Sequence, residues 1–186
     1  MDQPVKFMSC DHFRPSDRPD VRMGDVAFMT RRAEPSDWET YRAIRLRSLQ
    51  EEPTAYASQY EIERHYTADL WKQWMGNGGT FLAIDDDQVL VGTATALRTA
   101  DGDTLVVGMY VAPEARGQGC AQRLLDAIAD LASQRQDRRL VLEVSESNLR
   151  AASCYRSYGF VETGRRRAME RDPTIIEIEL GYLLGD

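Results

Sequence analysis

Nothing in this sequence limits the fold more than the passage from Leu105 to Gln134. An apolar run, Leu105 to Val111, enters a loop holding Gly117 and Gly119, and a helical pattern follows from about Gly119 to Gln134. In that pattern Ala121, Leu124, Leu125, Ile128, Leu131 and Ala132 recur at helical spacing, so a single stripe of the helix is apolar. Such a helix must lay its stripe on another apolar layer, and the strand ahead of it supplies one. A second apolar strand, Leu140 to Val144, follows, so the unit reads as a strand–helix–strand crossover.

The remaining elements build around this unit. Val26 to Thr30 reads as a short first strand, and Glu34-Pro35-Ser36-Asp37 as a helix start. Trp38, Tyr41 and Ile44 follow at helical spacing up to about Leu49, and Glu51-Glu52-Pro53 breaks that helix. A second helix is predicted from about Glu61 to Met75, ended by Gly76-Asn77-Gly78-Gly79. Thr80 to Ile84 and Gln88 to Leu97 form a hairpin around Asp85-Asp86-Asp87, and the turn from Thr99 to Asp103 leads into the Leu105 strand. After the crossover come a helix from Asn148 to Tyr158 and two strands, near Phe160 to Arg167 and Thr174 to Leu183. Ile176, Ile178 and Leu180 alternate in the last strand, which either completes the sheet or pairs across a dimer. The expected fold is α/β (α+β): a mixed, mostly antiparallel sheet of about seven strands with helices on both faces. Residues 1–24, rich in Asp, Arg and Pro, are predicted to be a poorly ordered tail ahead of one domain spanning residues 25–186.

Composition narrows the function. With 23 Lys plus Arg against 30 Asp plus Glu, the net charge of −7 opposes sequence-independent nucleic-acid binding, and it mildly attracts a cationic molecule. No apolar run approaches the roughly 20 residues of a membrane span, and the N-terminus does not read as a signal peptide. Three cysteines (Cys10, Cys120, Cys154) are too few for a disulfide framework, so a reduced cytoplasmic setting is expected. The only histidines, His12 and His65, do not combine with them into an expected metal site.

The loop from Val111 to Ala121 looks built for a phosphate. The first turn of its helix lacks an acidic residue while Arg116 and Arg123 bracket it, an arrangement that favours an anion at the helix start. Gly117 and Gly119 let the backbone approach a ligand closely. A mononucleotide loop would need Gly-Lys-Ser/Thr, and Cys120-Ala121-Gln122 stands there instead; a dinucleotide fingerprint would need glycine at position 122. The residues Arg116, Gly119 and Ala121 fit Arg-x-x-Gly-x-Ala, which resembles the acyl-CoA loop of the GCN5-related N-acetyltransferases. The stretch from Asn148 to Phe160 resembles the same family's Asn-x-x-Ala-x-x-x-Tyr-x-x-x-Gly-Phe, and the two-helix opening is similar as well.

The resemblance implies direct transfer of an acetyl group from acetyl-CoA to a primary amine on a small molecule or peptide. It implies that Arg116, Gly117, Gln118, Gly119, Cys120 and Ala121 hold the cofactor, with the backbone of Met109 and Val111 beside the acyl-pantetheine end. Tyr155 stands where the family has its thiolate acid, and an ordinary phenol remains protonated at neutral pH; an amphipathic-helix core tyrosine is the other reading. Glu143, a lone carboxylate in an apolar strand, is a candidate base acting through water, or a structural ion pair with an arginine. Asn148 suits the N-cap of its helix, and the resemblance adds a bond to pantetheine. Cys120 and Cys154 read as packing thiols, and Gly164-Arg165-Arg166-Arg167 as a solvated edge strand. The carboxylates and tyrosines between Glu51 and Tyr60 suit a cationic amine. The competing class is a non-catalytic acyl-CoA sensor or interaction module, and either a monomer or a homodimer is compatible with the sequence.

Overall fold

The computed structural model describes residues 28–76 and 79–185; the expected N-terminal tail, the first residues of the predicted Val26 strand and the Asn77-Gly78 turn lie outside them. The chain runs β1 (Met29–Arg32), α1 (Trp38–Glu51), α2 (Tyr60–Glu63), α3 (Ala68–Gly76), β2 (Thr80–Ile84), β3 (Leu90–Arg98), β4 (Thr104–Val111), α4 (Cys120–Gln134), β5 (Arg139–Ser145), α5 (Leu149–Tyr158), β6 (Val161–Met169) and β7 (Asp172–Leu183). The seven strands form one sheet in the order β1-β2-β3-β4-β5-β7-β6. Every neighbouring pair is antiparallel except β4–β5, the two strands joined by the crossover through α4.

Binary pattern sorts the helices onto the two faces. Phe81, Ala83, Ala94 and Val106 project toward α4, whose Leu124, Leu125 and Ile128 are fully buried against them. Leu82, one residue out of phase, faces the other way, into a cluster with Tyr41, Leu46 and Leu49 of α1 and Trp71 and Met75 of α3. Gly92 is where the α4 layer comes closest: an added Cβ would stand 2.9 Å from Cys120 Sγ and 3.2 Å from Leu124. Burying about a dozen large apolar side chains on the two faces, at about 1.5–3 kcal/mol each, is what holds the sheet and its helices together.

Two expectations change. The helix predicted from Glu61 to Met75 is two helices, because Glu63 leaves the surface to pair with Arg45 in the interior and the chain turns before α3. Among the described residues the first strand runs Met29–Arg32, two residues past its expected end. The last strand completes the sheet: β7 lies inside it, between β5 and the edge strand β6. The basic run on β6 is at the edge as expected, yet it is matched: Arg165 pairs with Glu179, Arg166 with Glu146, and Arg167 with Glu143 and Glu177.

Candidate active site

The sheet opens at its centre. β4 and β5 are paired only at Thr104–Leu140 and Leu105–Val141, and beyond those positions the two strands part. The cause is in β4, where Gly108 adopts φ +61° and the register against β3 slips, so the strand carries one extra residue and bends. Ala112 donates its N–H to the Val91 carbonyl at 2.8 Å. Alternation along the strand therefore turns the polar groups of Met109 and Val111 the other way, into the gap. Their carbonyls accept there, from Tyr56 Oη at 3.0 Å and from Arg116 Nε at 2.8 Å.

At the mouth of the gap lies the glycine loop. Gly117 and Gly119 have φ +76° and +85°, with nothing within 4 Å of where a Cβ would stand on either. Gly119 takes the N-cap position of α4 without a side-chain cap, and the first turn has no acidic residue. The first backbone bond of the helix runs from Arg123 N to Gly119 O, and the N–H groups of its first turn, residues 120–122, precede any intrahelical acceptor. A row of unmade donors at the positive end of a helix of 15 residues suits a phosphate or pyrophosphate. The arginine of the motif does something else. Arg116 folds back onto the Val111 carbonyl and Glu52 (3.2 Å), and Gln118 caps the Glu114 carbonyl at 2.8 Å, so both side chains shape the loop while its backbone faces outward. Cys120 is buried, and burial pushes its thiol up to about 12; Ala121 begins the stripe that packs below.

Across the gap, Asn148 caps α5 by accepting from the Ala151 N–H at 3.1 Å. Tyr155 is half-buried on that helix, edge-on to Phe160 at 5.9 Å, and packs against the main core. Burial, then the neighbouring Tyr56, raises its phenol well above the ordinary value. Glu143 stands on the β5 face turned away from the core residues Leu142 and Val144, ion-paired with Arg167. Burial raises its pKa, Arg167 opposes that, and Glu177 and Glu179 reinforce it. Cys154, expected to pack, is exposed instead. A cleft of about 380 Å³ opens beside these residues, lined by Glu52, Thr54, Ser145, Ser147, Asn148, Leu149 and Arg150. A second cleft of about 410 Å³, between α1 and α3 at Trp38, Arg42 and Tyr66, contains none of the predicted site residues.

Residues between α1 and α2 shape the site in a way their composition did not convey. Glu51 accepts from Tyr110 Oη at 2.6 Å and from Arg47 at 2.7 Å, and Glu52 binds both Arg116 and Arg150. These carboxylates are thus engaged with partners inside the protein. Arg171, in the β6–β7 turn, donates Nε to the Tyr56 carbonyl at 2.7 Å and Nη2 to the Pro53 carbonyl, which ties that turn to the same loop. Among the described residues no group of three or more His, Cys, Asp or Glu is placed to hold a metal ion, and no helix is long and apolar enough to cross a membrane.

The family model of the Acetyltransferase (GNAT) family matches residues 40–160, from the first turn of α1 to the end of the α5 motif. The chain belongs to this family. Among curated relatives, it is 32% identical over 96 residues to mycothiol acetyltransferase of Renibacterium salmoninarum, covering 48% of this chain and 28% of that protein. It is 30% identical over 105 residues to human N-acetyltransferase 8B, covering 53% of this chain and 46% of that one. The chain therefore spans less than half the length of these two relatives. Among solved structures, an acetyltransferase of the GNAT family from Streptococcus pneumoniae superposes with a TM-score of 0.72 at 22% identity, over 86% of this chain and 100% of that one. That likeness extends the GNAT fold to β6 and β7, beyond the matched segment.

Proposed function

We propose that this GNAT chain is an acetyl-CoA-dependent N-acetyltransferase that acts by direct attack of a primary amine. The observation that supports it best is the parting of β4 from β5 beside a glycine loop that leads into a helix N-terminus without a side-chain cap. That arrangement fits a long ligand with a pyrophosphate at one end and an amide-bearing arm at the other. Residues 117–121 would hold the phosphates by backbone N–H groups. The backbone of Met109 and Val111, together with Asn148, would hold the pantetheine arm. Acetyl-CoA would supply the acyl group as a thioester.

The chain's own groups cover the proton movements. Tyr155 keeps its phenol proton throughout the neutral range, because burial and Tyr56 lift its pKa, and it can give that proton to a departing thiolate. Glu143, with a raised pKa, can accept a proton from an incoming ammonium, directly or through water. Its pairing with Arg167 keeps the carboxylate ionised while burial works the other way. The acceptor would approach over the face of β5 and β7 that carries Glu143, Glu177 and Glu179, between the loop after α1 and the β6–β7 turn.

A calorimetric titration of the purified chain with acetyl-CoA, CoA and adenosine 3′,5′-bisphosphate tests the cofactor half. One-site binding of both acetyl-CoA and CoA, stronger than that of the bisphosphate, is expected. Absence of acetyl-CoA binding by a folded sample would retire the enzyme reading. Mass-spectrometric detection of an acetylated product from a panel of amines tests the other half, with a gain of one acetyl group as the expected outcome.

A further inference from the structure

Tyr56 is held from several directions at once. Its hydroxyl donates to the Met109 carbonyl at 3.0 Å, inside the gap where β4 leaves β5. Its own carbonyl is gripped by Arg171 from the β6–β7 turn at 2.7 Å. The guanidinium of Arg45 lies over its ring, 4.7 Å from the centroid. Arg45 itself is 7% exposed and is fixed by Glu63, fully buried, through paired bonds of 2.9 and 2.7 Å. The remaining nitrogen, Nη1, has no hydrogen-bond partner and lies 3.8 Å from where a Cβ would stand on Gly108, directly under the β4 bulge. The ring also packs on the cluster formed by α1 and α3. Swinging it aside would expose a buried ion pair, which is costly.

We propose that the Tyr56 ring is the fixed end wall of the acyl pocket, and that it restricts the donor to a two-carbon acyl group. The inference rests on the acetyl-CoA reading above. If the pantetheine arm lies along Met109 and Val111 and its sulfur reaches Tyr155, the acyl carbon sits next to the Met109 carbonyl, the atom Tyr56 touches. An acetyl methyl group fits against the ring edge. A longer chain pointing toward α1 meets an aromatic ring that is bonded at its hydroxyl, covered on one face and anchored at its backbone. Bulk of this kind discriminates by exclusion, which is more effective than the loss of a favourable methylene contact.

The test is calorimetric titration of the full chain and of Tyr56→Ala, Tyr56→Leu and Tyr56→Phe with CoA, acetyl-CoA and butanoyl-CoA. The unsubstituted chain should bind acetyl-CoA about as well as CoA, and butanoyl-CoA at least about tenfold more weakly. Tyr56→Ala should bring butanoyl-CoA to within about threefold of acetyl-CoA, and Tyr56→Leu should do so in part if the alanine variant does not fold. Tyr56→Phe should keep the original preference, separating the ring's bulk from its hydrogen bond. Equal binding of both donors by the unsubstituted chain, or an undiminished preference in a folded Ala or Leu variant, overturns the proposal while leaving the acyl-CoA reading intact. Failure of CoA itself to bind removes that reading, and the wall with it.

Discussion

Two helices start at matching places in this sheet, α4 after β4 and α5 after β5, and they start in opposite ways. α5 is self-sufficient: Asn148 accepts the Ala151 N–H, and Gly159 closes the far end in the left-handed region at φ +119°. α4 opens on Gly119 without a cap, and its first-turn donors are left unmade. A glycine in place of a capping side chain costs its helix only a few tenths of a kcal/mol, so α4 can leave its start without a side-chain cap at little expense. The long apolar stripe of α4 keeps the helix folded regardless, and its N-terminus remains available to an anion. α5, shorter and well capped, is suited to holding Tyr155 still. One helix start is capped by its own side chain, and the other is not.

The strongest way to break this contrast is Gly119→Glu. A carboxylate among the unmade donors should lower acetyl-CoA affinity about a thousandfold, since a like charge replaces room for the phosphate. Gly119→Ala is its control: nothing crowds the added methyl, so only the φ +85° strain of about 1 kcal/mol should appear, in thermal unfolding. Equal affinity in the two variants would mean that the loop is merely a turn. Next in size is Tyr155→Phe, which should cut turnover about a hundredfold in single-turnover assays with little change in acetyl-CoA affinity. Unchanged chemistry there would return Tyr155 to the core.

Glu143 gives a smaller, pH-dependent effect. Because its folded pKa is raised, activity carried by its base form should rise with pH through a value above the usual carboxylate range. Removing the opposing charge in Arg167→Gln should move that limb to higher pH. Glu143→Gln should abolish the limb and make turnover follow the acceptor amine instead, and an unaltered profile in both variants would mark the pair as structural. The same raised pKa makes ionised Glu143 slightly unfavourable to stability: its contribution is fully present at acid pH and lost as pH rises through the folded value. Smallest is Asn148→Ala, expected to cost about 1 kcal/mol of stability by chemical denaturation. If it weakened acetyl-CoA binding as severely as Gly119→Glu, the two helix starts would not differ in kind.

The parts legible in the sequence were those written in short-range pattern. The crossover around α4, the hairpin at Asp85, the cap at Asn148 and both glycine positions of the loop follow from periodicity and backbone chemistry within a few residues. Arrangements that depend on distant partners were not legible. Arg116 carries the family's motif, yet where its guanidinium points depends on Glu52, 64 residues earlier. Glu143 was read as either a base or an ion-pair partner, and only the β6–β7 register brings Arg167 beside it. The predicted second helix broke because Glu63 belongs to Arg45, a pairing that helical periodicity does not encode. One missed feature had a visible signal. Gly108, set between valines and Met109 in an otherwise apolar strand, is the residue type that marks a bulge.

The grip of Arg171 on the loop after α1 spans 115 residues to Tyr56 and 118 to Pro53. Contacts of such long sequence separation form late, after the local elements they join. During synthesis on a ribosome, the glycine loop and α4 are made before Arg171. The nascent chain can thus form the glycine loop while Arg171 is still missing, and the loop after α1 is tied down only when the β6–β7 hairpin arrives.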